Sequence, residues 1–126
     1  MTTNGVVLVV DDDRSMCEML AAGLAGAGLR VIWRTDGEEA LVALQGEDVD
    51  VVVADLQMPR MGGLALCERV VANRPDVPVV VLTGFGNLES AQGAIRAGAY
   101  VFVSKPVEVD ALVLVLARAI EHRELR

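Results

Sequence analysis

Hydrophobic positions along the chain follow two alternating patterns. Five short apolar runs, rich in valine, are too short for helices and are typical of strands buried on both faces of a parallel sheet. These runs are Val6–Val10, Leu29–Trp33, Val49–Ala54, Val77–Leu82 and Tyr100–Val103. Between the runs, apolar residues recur at helical spacing, as at Met16, Leu20 and Leu24.

Capping signals set the bounds of five predicted helices, which are Arg14–Ala27, Asp36–Gln45, Leu64–Asn73, Asn87–Ala97 and Glu108–His122. Asp36 is expected at the N-cap of the second helix, with Gly28 and Gly98 just beyond the ends of the first and fourth. Strands that alternate with helices predict right-handed crossovers. We therefore expect one α/β domain over residues 1–126, a doubly wound five-stranded parallel sheet with five helices and the flavodoxin-like strand order 2-1-3-4-5.

Composition narrows the class of protein. The 126 residues suit one domain, and a hydrophobic fraction of 53% is enough for a core, although only 3% are aromatic. A net charge of −7 argues against direct nucleic-acid binding, because no basic face is available to replace counterions. The same negative charge favours the binding of cations or of basic partner proteins.

Cys17 and Cys67 lie far apart, without a CxxC pair or a neighbouring histidine. Reduced thiols in a soluble, cytoplasmic protein are the expectation. The apolar runs are shorter than the ~20 residues that a membrane helix needs, and the first residues lack the pattern of a secretory signal. No membrane partner is expected.

Polar residues follow the predicted strands at the points where they end. They are Asp11, Asp12 and Asp13 after the first strand, Asp55 after the third, Thr83 and Gly84 after the fourth, and Lys105 after the fifth. Ligands of open α/β sheets bind at this edge, and the first and third strands are neighbours in the expected order. The carboxylates would therefore meet.

Clustered carboxylates repel one another unless a cation neutralises them, and oxygen ligands suit Mg²⁺ or Mn²⁺. Lys105 adds a positive charge, and Thr83 adds a hydroxyl. Together these groups predict a site that holds a phosphoryl group on Asp55. Asp13 is interpreted instead as the N-cap of the first helix, a common role for an aspartate at a strand end. Because only one residue can cap one helix, capping does not account for Asp11 and Asp12.

Four motifs match a known family: VLVVDDD, VVVADLQMPRMGG, VVVLTGFG and VFVSKP. In this order and spacing, the chain resembles the receiver domain of two-component response regulators, from Val6 to about Ile120. The resemblance implies that Asp55 is the phosphoacceptor, that Asp12, Asp55 and the Gln57 backbone carbonyl bind Mg²⁺ directly, and that Asp11 acts through water. It further implies that Thr83, the Gly84 amide and Lys105 contact the phosphoryl oxygens, and that Pro59, Gly62 and Gly63 shape the following loop.

The resemblance also implies a switch and a means of setting the phosphoryl lifetime. Phe102 matches the family's switch aromatic and would follow Thr83 when Thr83 is drawn inward; Tyr100 is the weaker candidate and more simply a packing residue. Gln57 and Phe85 match the positions that tune lifetime, and a bulky Phe85 is expected to slow self-dephosphorylation.

The last helix is apolar on more than one stripe. Leu112, Leu116 and Ala119 are expected to face the sheet, which leaves three apolar residues nearer solvent, namely Val113, Leu114 and Ala117. Exposed apolar area of this kind usually marks a contact surface. We predict phosphorylation-sensitive homodimerisation through the fourth helix, fifth strand and fifth helix.

The resemblance implies a sensor histidine kinase or phosphotransfer protein as the phosphoryl donor, and a phosphoacceptor in place of a turnover enzyme. His122, the only histidine, lies at the end of the last helix and is no internal donor.

One alternative is a phosphatase of the haloacid dehalogenase type that uses Asp11 as nucleophile. That alternative leaves Asp55 without a role. Another is a degenerate receiver that only binds partners. The stretch FGNLESAQGAIRAGAY and the tail from Glu108 to Arg126 resemble those of receivers that precede transcription-activator domains.

Overall fold

Strands and helices alternate along the chain in the computed structural model, which describes residues 4–84 and 88–124. The strands are β1 (Val6–Val10), β2 (Arg30–Arg34), β3 (Val51–Asp55), β4 (Val79–Thr83) and β5 (Val101–Ser104). The helices are α1 (Arg14–Gly26), α2 (Gly37–Gly46), α3 (Gly63–Asn73), α4 (Leu88–Arg96) and α5 (Val109–Glu124). The predicted start of the fourth helix, near Asn87, lies outside the described residues.

The strands form one parallel sheet in the order β2-β1-β3-β4-β5, which confirms the predicted fold class. In the register, Val10 pairs with Ala54 between β1 and β3, and Thr83 pairs with Ser104 between β4 and β5. The carboxyl ends of β1 and β3 are therefore adjacent. This is where the winding reverses, so the sheet itself opens a crevice between these strand ends.

Two predicted strand starts were wrong by two residues. Val49 and Val77 are buried, but they precede β3 and β4 and lie outside the sheet ladder. Pro78 has no N–H to donate, although its carbonyl accepts a hydrogen bond from Val52 N at 3.0 Å. Burial without pairing produces the same valine-rich pattern as a strand, which is why the sequence pattern runs too long here.

The first and last residues of two other strands also shifted. β2 runs one residue later than predicted, and Tyr100 precedes β5. The Tyr100 ring packs against the His122 ring of α5, with their centroids 5.1 Å apart. His122 lies in the last turn of α5, as expected.

Helices cover both faces of the sheet and bury a separate core on each. The residues of α2, α3 and α4 on one face include Leu44, Leu66 and Ala94. On the other face, α1 and α5 bury Leu20 and Leu116, among others. Cys17 and Cys67 are buried free thiols.

The exposed side of α5 follows the sequence prediction in part. Leu112, Leu116 and Ala119 are buried, while Leu114 is 67% exposed. Val113 and Ala117 are only half-buried, and Val113 packs partly on the core.

No helix within the described residues has the length and apolarity needed to cross a membrane.

Candidate functional site

Three carboxylates converge at the crevice between β1 and β3. One oxygen from each of Asp11, Asp12 and Asp55 lies within 4.8 Å of the others. Asp55 is the last residue of β3, and Asp11 directly follows β1, where its N–H donates to the Arg34 carbonyl at 3.2 Å. Parallel pairing of β1 and β3 thus brings together Asp11 and Asp55, which are 44 positions apart in the chain.

Asp11 is the most buried member of this acidic pocket. It is 1% exposed, and its Oδ1 accepts a hydrogen bond from Asp13 N at 2.9 Å. Its Oδ2 is a buried side-chain oxygen that lacks a hydrogen-bond partner among the described residues. Burial raises the pKa of Asp11 to about 6, the Asp13 hydrogen bond opposes that rise, and the nearby charge of Asp55 adds to it.

A divalent cation fits this pocket. Unpaired buried carboxylate oxygens are costly, and a cation would neutralise their mutual repulsion and give Asp11 Oδ2 an electrostatic partner. All three side-chain ligands are oxygens, and Asp12 is exposed, so the pocket stays open to water. Hard oxygen ligands with room for waters suit Mg²⁺ or Mn²⁺.

The candidate cationic and hydroxyl groups, Lys105 and Thr83, come from the strand ends on the side of β3 away from β1. Lys105 Nζ lies 3.3 Å from Asp55 Oδ1, and Lys105 N donates to the Thr83 carbonyl at 2.8 Å. Thr83, the last residue of β4, is 3% exposed. Among the described residues, the buried polar or charged side chains are Asp11, Asp55 and Thr83, so the buried polarity is concentrated at this edge.

The loop after Asp55 is fixed close to the site by backbone hydrogen bonds. Gln57 N donates to Asp55 Oδ1 at 3.2 Å, and Leu56 N donates to the Leu82 carbonyl at 2.9 Å. Gly63 closes the loop, because a Cβ there would lie 2.5 Å from the Asp55 carbonyl oxygen. Only glycine permits this approach of α3 to the end of β3.

Some of the remaining predicted residues lie at the site, and others lie in the structure around it. Asp13 caps α1 as predicted, since its Oδ1 accepts from Ser15 N at 3.0 Å and from Met16 N at 3.3 Å. Phe102 packs partly on the core beneath α2, α3 and α4, and pairs with Val81, two residues before Thr83. Gln57 is exposed, and Gly84 directly follows β4. Phe85 lies outside the described residues.

Sequence reasoning missed Arg60. Its φ is +64°, and its Nη1 lies 3.2 Å from Asp36 Oδ2. No sequence signal indicates this pair, because the two residues are 24 positions apart and the contact depends on the conformation of the loop.

The fold and the site together define a doubly wound domain in which the aspartate at the end of β3 contacts two further carboxylates and one lysine. The response regulator receiver domain family matches residues 7–117 of the chain. The chain belongs to this family, so the resemblance inferred from the four motifs is confirmed, and the haloacid dehalogenase alternative is not favoured.

Curated relatives and solved structures agree with this family assignment. The DNA-binding transcriptional regulator NtrC of Salmonella typhimurium is 40% identical over 118 residues, which cover 94% of this chain and 25% of NtrC. The C4-dicarboxylate transport transcriptional regulatory protein DctD of Rhizobium meliloti is 39% identical over 119 residues, which cover 94% of this chain and 26% of DctD. The receiver domain of NtrX from Brucella abortus superposes with a TM-score of 0.87 at 38% identity, covering 91% of this chain and 98% of that domain. The chain spans about a quarter of the length of the curated relatives.

Proposed function

We propose that this receiver domain, over residues 1–126, accepts a phosphoryl group on Asp55 from a sensor histidine kinase or a phosphotransfer protein. One observation carries the proposal: the buried Asp55 carboxylate has oxygens of Asp11 and Asp12 within 4.8 Å and Lys105 Nζ only 3.3 Å away. No other carboxylate of the described residues combines these neighbours. The proposed role is that of a phosphoacceptor and not of a turnover enzyme.

The transfer needs positioning and charge neutralisation more than covalent machinery. A carboxylate oxygen of Asp55 attacks the phosphorus, the bond between phosphorus and the donor imidazole breaks, and the imidazole nitrogen keeps the electron pair. Lys105 and the hydroxyl of Thr83 neutralise and bind the phosphoryl oxygens, with the Gly84 amide assisting. Asp11, Asp12, Asp55 and the Gln57 carbonyl would hold Mg²⁺, which supplies further charge neutralisation when bound.

The product would carry roughly −1.5 to −2 additional charges beside Thr83 and Lys105. We propose that Thr83 moves toward this charge and that Phe102, on the same face of the sheet, changes its packing. Because Phe102 packs against the core that includes Ala94, the change would reach α4. The surface formed by α4, β5 and α5 is then the output face, and Gln57 and Phe85 tune how long the signal lasts.

The partners follow from this assignment. The output face would engage a second copy of this domain, and Leu114 gives it an exposed apolar residue. The net charge of −7 argues against direct nucleic-acid binding by this domain. The relative NtrC is a DNA-binding transcriptional regulator, and we propose that this receiver serves a regulator of that kind.

Acetyl phosphate tests the assignment of the acceptor. The protein is incubated with Mg²⁺ and acetyl phosphate, and intact mass spectrometry follows the gain of one phosphoryl group. We expect the gain in the wild type and its loss in Asp55→Asn. Mapping of the acyl phosphate, by trapping with hydroxylamine, is expected to mark Asp55. A label that survives in Asp55→Asn and disappears in Asp11→Asn would instead support the phosphatase-like nucleophile.

A further inference from the structure

The loop between β3 and α3 contains a backbone outlier. Arg60 has a φ of +64°, in the left-handed region that residues with a Cβ seldom adopt. Such conformations persist only where surrounding contacts fix them, and they cluster at functional sites. Two contacts join this loop to the start of α2, one through Arg60 itself and one through the next residue, Met61.

The first contact joins Arg60 to the N-cap of α2. Asp36 Oδ1 accepts hydrogen bonds from Glu38 N at 2.8 Å and from Glu39 N at 3.3 Å. Its other oxygen, Oδ2, lies 3.2 Å from Arg60 Nη1. Because the helix start already fixes the carboxylate, Arg60 pairs with an anchored group and not with a freely rotating one.

The second contact is steric. Gly37, the first residue of α2, is buried, and a Cβ placed there would lie 2.9 Å from Met61 Sδ and 3.1 Å from Met61 Cβ. Met61 therefore packs directly on the α2 backbone, next to the residue that pairs with Asp36. We call these four residues, Asp36, Gly37, Arg60 and Met61, the loop–helix contact.

The loop–helix contact lies on the short segment that leads away from Asp55. The near end of that segment is tied to the site, since Gln57 N donates to Asp55 Oδ1 at 3.2 Å. Its far end is tied by Gly63 N, which donates to the Leu56 carbonyl at 3.2 Å. Hydrogen bonds therefore hold both ends of the segment that contains Gln57 and Arg60.

We propose that Arg60 is a positioning residue for the cation site: through its pairing with Asp36, it holds the loop in the conformation that directs the Gln57 carbonyl toward the acidic pocket. This inference rests on the proposed function, in which Gln57 supplies one ligand. Loss of the pairing releases the loop, and the cation must then order it on binding. Binding therefore weakens.

Long-range charge effects give a different pattern, which makes the inference testable. Removing the positive charge of Arg60 alone would strengthen cation binding, and removing the negative charge of Asp36 alone would weaken it. Positioning predicts weakening in both cases. It also predicts that the double variant is no weaker than either single variant, because the two residues act as one pair.

The experiment measures Mn²⁺ affinity directly, from the electron paramagnetic resonance signal of the free ion. The variants are Arg60→Asn, Asp36→Asn and the double variant. Asn tolerates a positive φ at position 60 and still caps a helix at position 36. We expect each variant to bind Mn²⁺ roughly two- to fivefold more weakly than the wild type. This fold-change corresponds to the usual contribution of an exposed ion pair.

The matched control is Arg69→Gln. It removes the same charge and another exposed ion pair to α2, since Arg69 Nη1 lies 3.8 Å from Glu38 Oε1, but it leaves the loop untouched. It is expected to leave Mn²⁺ affinity unchanged. Opposite shifts in the two single variants, additive weakening in the double variant, or no change in either would overturn the positioning role. A wild type that binds no Mn²⁺ would overturn the proposed function and this inference with it.

Discussion

Lys105 reaches Asp55 across the end of an intervening strand. Lys105 follows β5, Asp55 ends β3, and β4 lies between them, yet Lys105 Nζ and Asp55 Oδ1 are 3.3 Å apart. Lys105 is the only lysine in the sequence, and the other ten basic residues are arginines. Lysine gives a compact charge on a flexible stem, whereas arginine would present a planar fork. A flexible point charge suits the proposed role of Lys105 in binding a phosphoryl oxygen.

Replacing this lysine should slow phosphorylation while leaving the fold intact. Lys105→Gln removes a partly exposed charge, so we expect little change in stability, whereas acyl-phosphate formation should slow roughly 10- to 100-fold, as for a lost charge-assisted contact. The rate is measured with acetyl phosphate and Mg²⁺. An unchanged rate would remove Lys105 from the site.

The single lysine also gives a direct spectroscopic check. Reductive methylation with ¹³C-formaldehyde labels Lys105 and the N-terminus, whose signals are distinguishable by chemical shift. We expect the Lys105 signal to shift when beryllofluoride and Mg²⁺ are added, and the Asp55→Asn variant to show no shift.

Asp11 should make the metal-free protein less stable as the pH rises. Its pKa is about 6 in the folded protein and 3.8 in the unfolded chain, so the folded state holds the proton more tightly. Where the native state binds more protons, stability falls as the pH rises, here between about pH 4 and pH 6. Above that range the ionised Asp11 costs up to about 3 kcal/mol.

Asp11→Asn removes this cost, because the amide oxygen can still accept the Asp13 hydrogen bond. In EDTA, urea unfolding at pH 7.5 should show the variant more stable by about 1–3 kcal/mol, with the advantage smaller at pH 4.5. Asp12→Asn is the control, since Asp12 is exposed and should change stability little. A constant difference at both pH values would contradict the raised pKa.

The positions of the polar residues at the strand ends could be predicted from the sequence, because they depend only on the local hydrophobic pattern and on the winding rules of parallel sheets. Runs of valine locate the ends of β1, β3 and β4, and the doubly wound order then places Asp11 beside Asp55. Asp36 was predicted as an N-cap from local spacing alone, and the structure confirms it.

Contacts that depend on loop conformation were not predictable. Arg60 has no periodic signal that points to Asp36, and its positive φ belongs to a loop conformation that no local sequence pattern encodes. Arg123 pairs with Asp50, 73 residues away, and the charges in between give no reason to choose that partner. The sequence pattern also failed at Val49 and Val77, where burial does not coincide with strand pairing.

Gly63 should be irreplaceable for both stability and function. A Cβ there would lie 2.5 Å from the Asp55 carbonyl oxygen and 2.6 Å from Leu56 Cα, and neither backbone atom can yield easily. We expect Gly63→Ala to lose about 1–3 kcal/mol of stability and to slow phosphorylation, because Asp55 is displaced. Gly26→Ala is the control: a Cβ there meets nothing within 4 Å, so the helix should gain about 0.5–1 kcal/mol. A wild-type-like Gly63→Ala would contradict this packing.

Beryllofluoride should promote dimerisation through the output face. Leu88, Ile95, Tyr100 and Leu114 are the exposed large apolar side chains on or beside α4, β5 and α5. Sedimentation velocity should show a shift toward dimer when beryllofluoride and Mg²⁺ are added, and Leu114→Ser should weaken it. Val42→Ser is the matched control, since Val42 is 69% exposed but lies on α2. A monomer at high concentration in both states would refute the proposed dimer.

Arg123 should matter for stability and not for phosphoryl chemistry. At the edge of the sheet opposite the acidic pocket, Arg123 Nη1 donates to Asp50 Oδ1 at 2.6 Å and Nη2 to Asp76 Oδ2 at 3.0 Å. Asp50 Oδ2 in turn accepts the Val6 N–H at 2.8 Å. One guanidinium therefore ties the last turn of α5 to the starts of β1 and β3 and to the loop before β4.

Removing the guanidinium leaves carboxylates clustered without their cation, so Arg123→Gln should cost about 1–3 kcal/mol at neutral pH. The hydrogen bond from Arg123 lowers the pKa of Asp76 below 3.8, so the Asp76 share of this stabilisation is present above that pH and is lost as the pH falls. The difference in the free energy of unfolding between wild type and variant, measured in urea, should therefore become smaller as the pH falls. Arg118→Gln, an exposed change on the same helix, should stay within about 0.5 kcal/mol of wild type. If Arg123→Gln folds fully yet fails to accept phosphate from acetyl phosphate, Arg123 also contributes to the reaction, and a purely structural role is wrong.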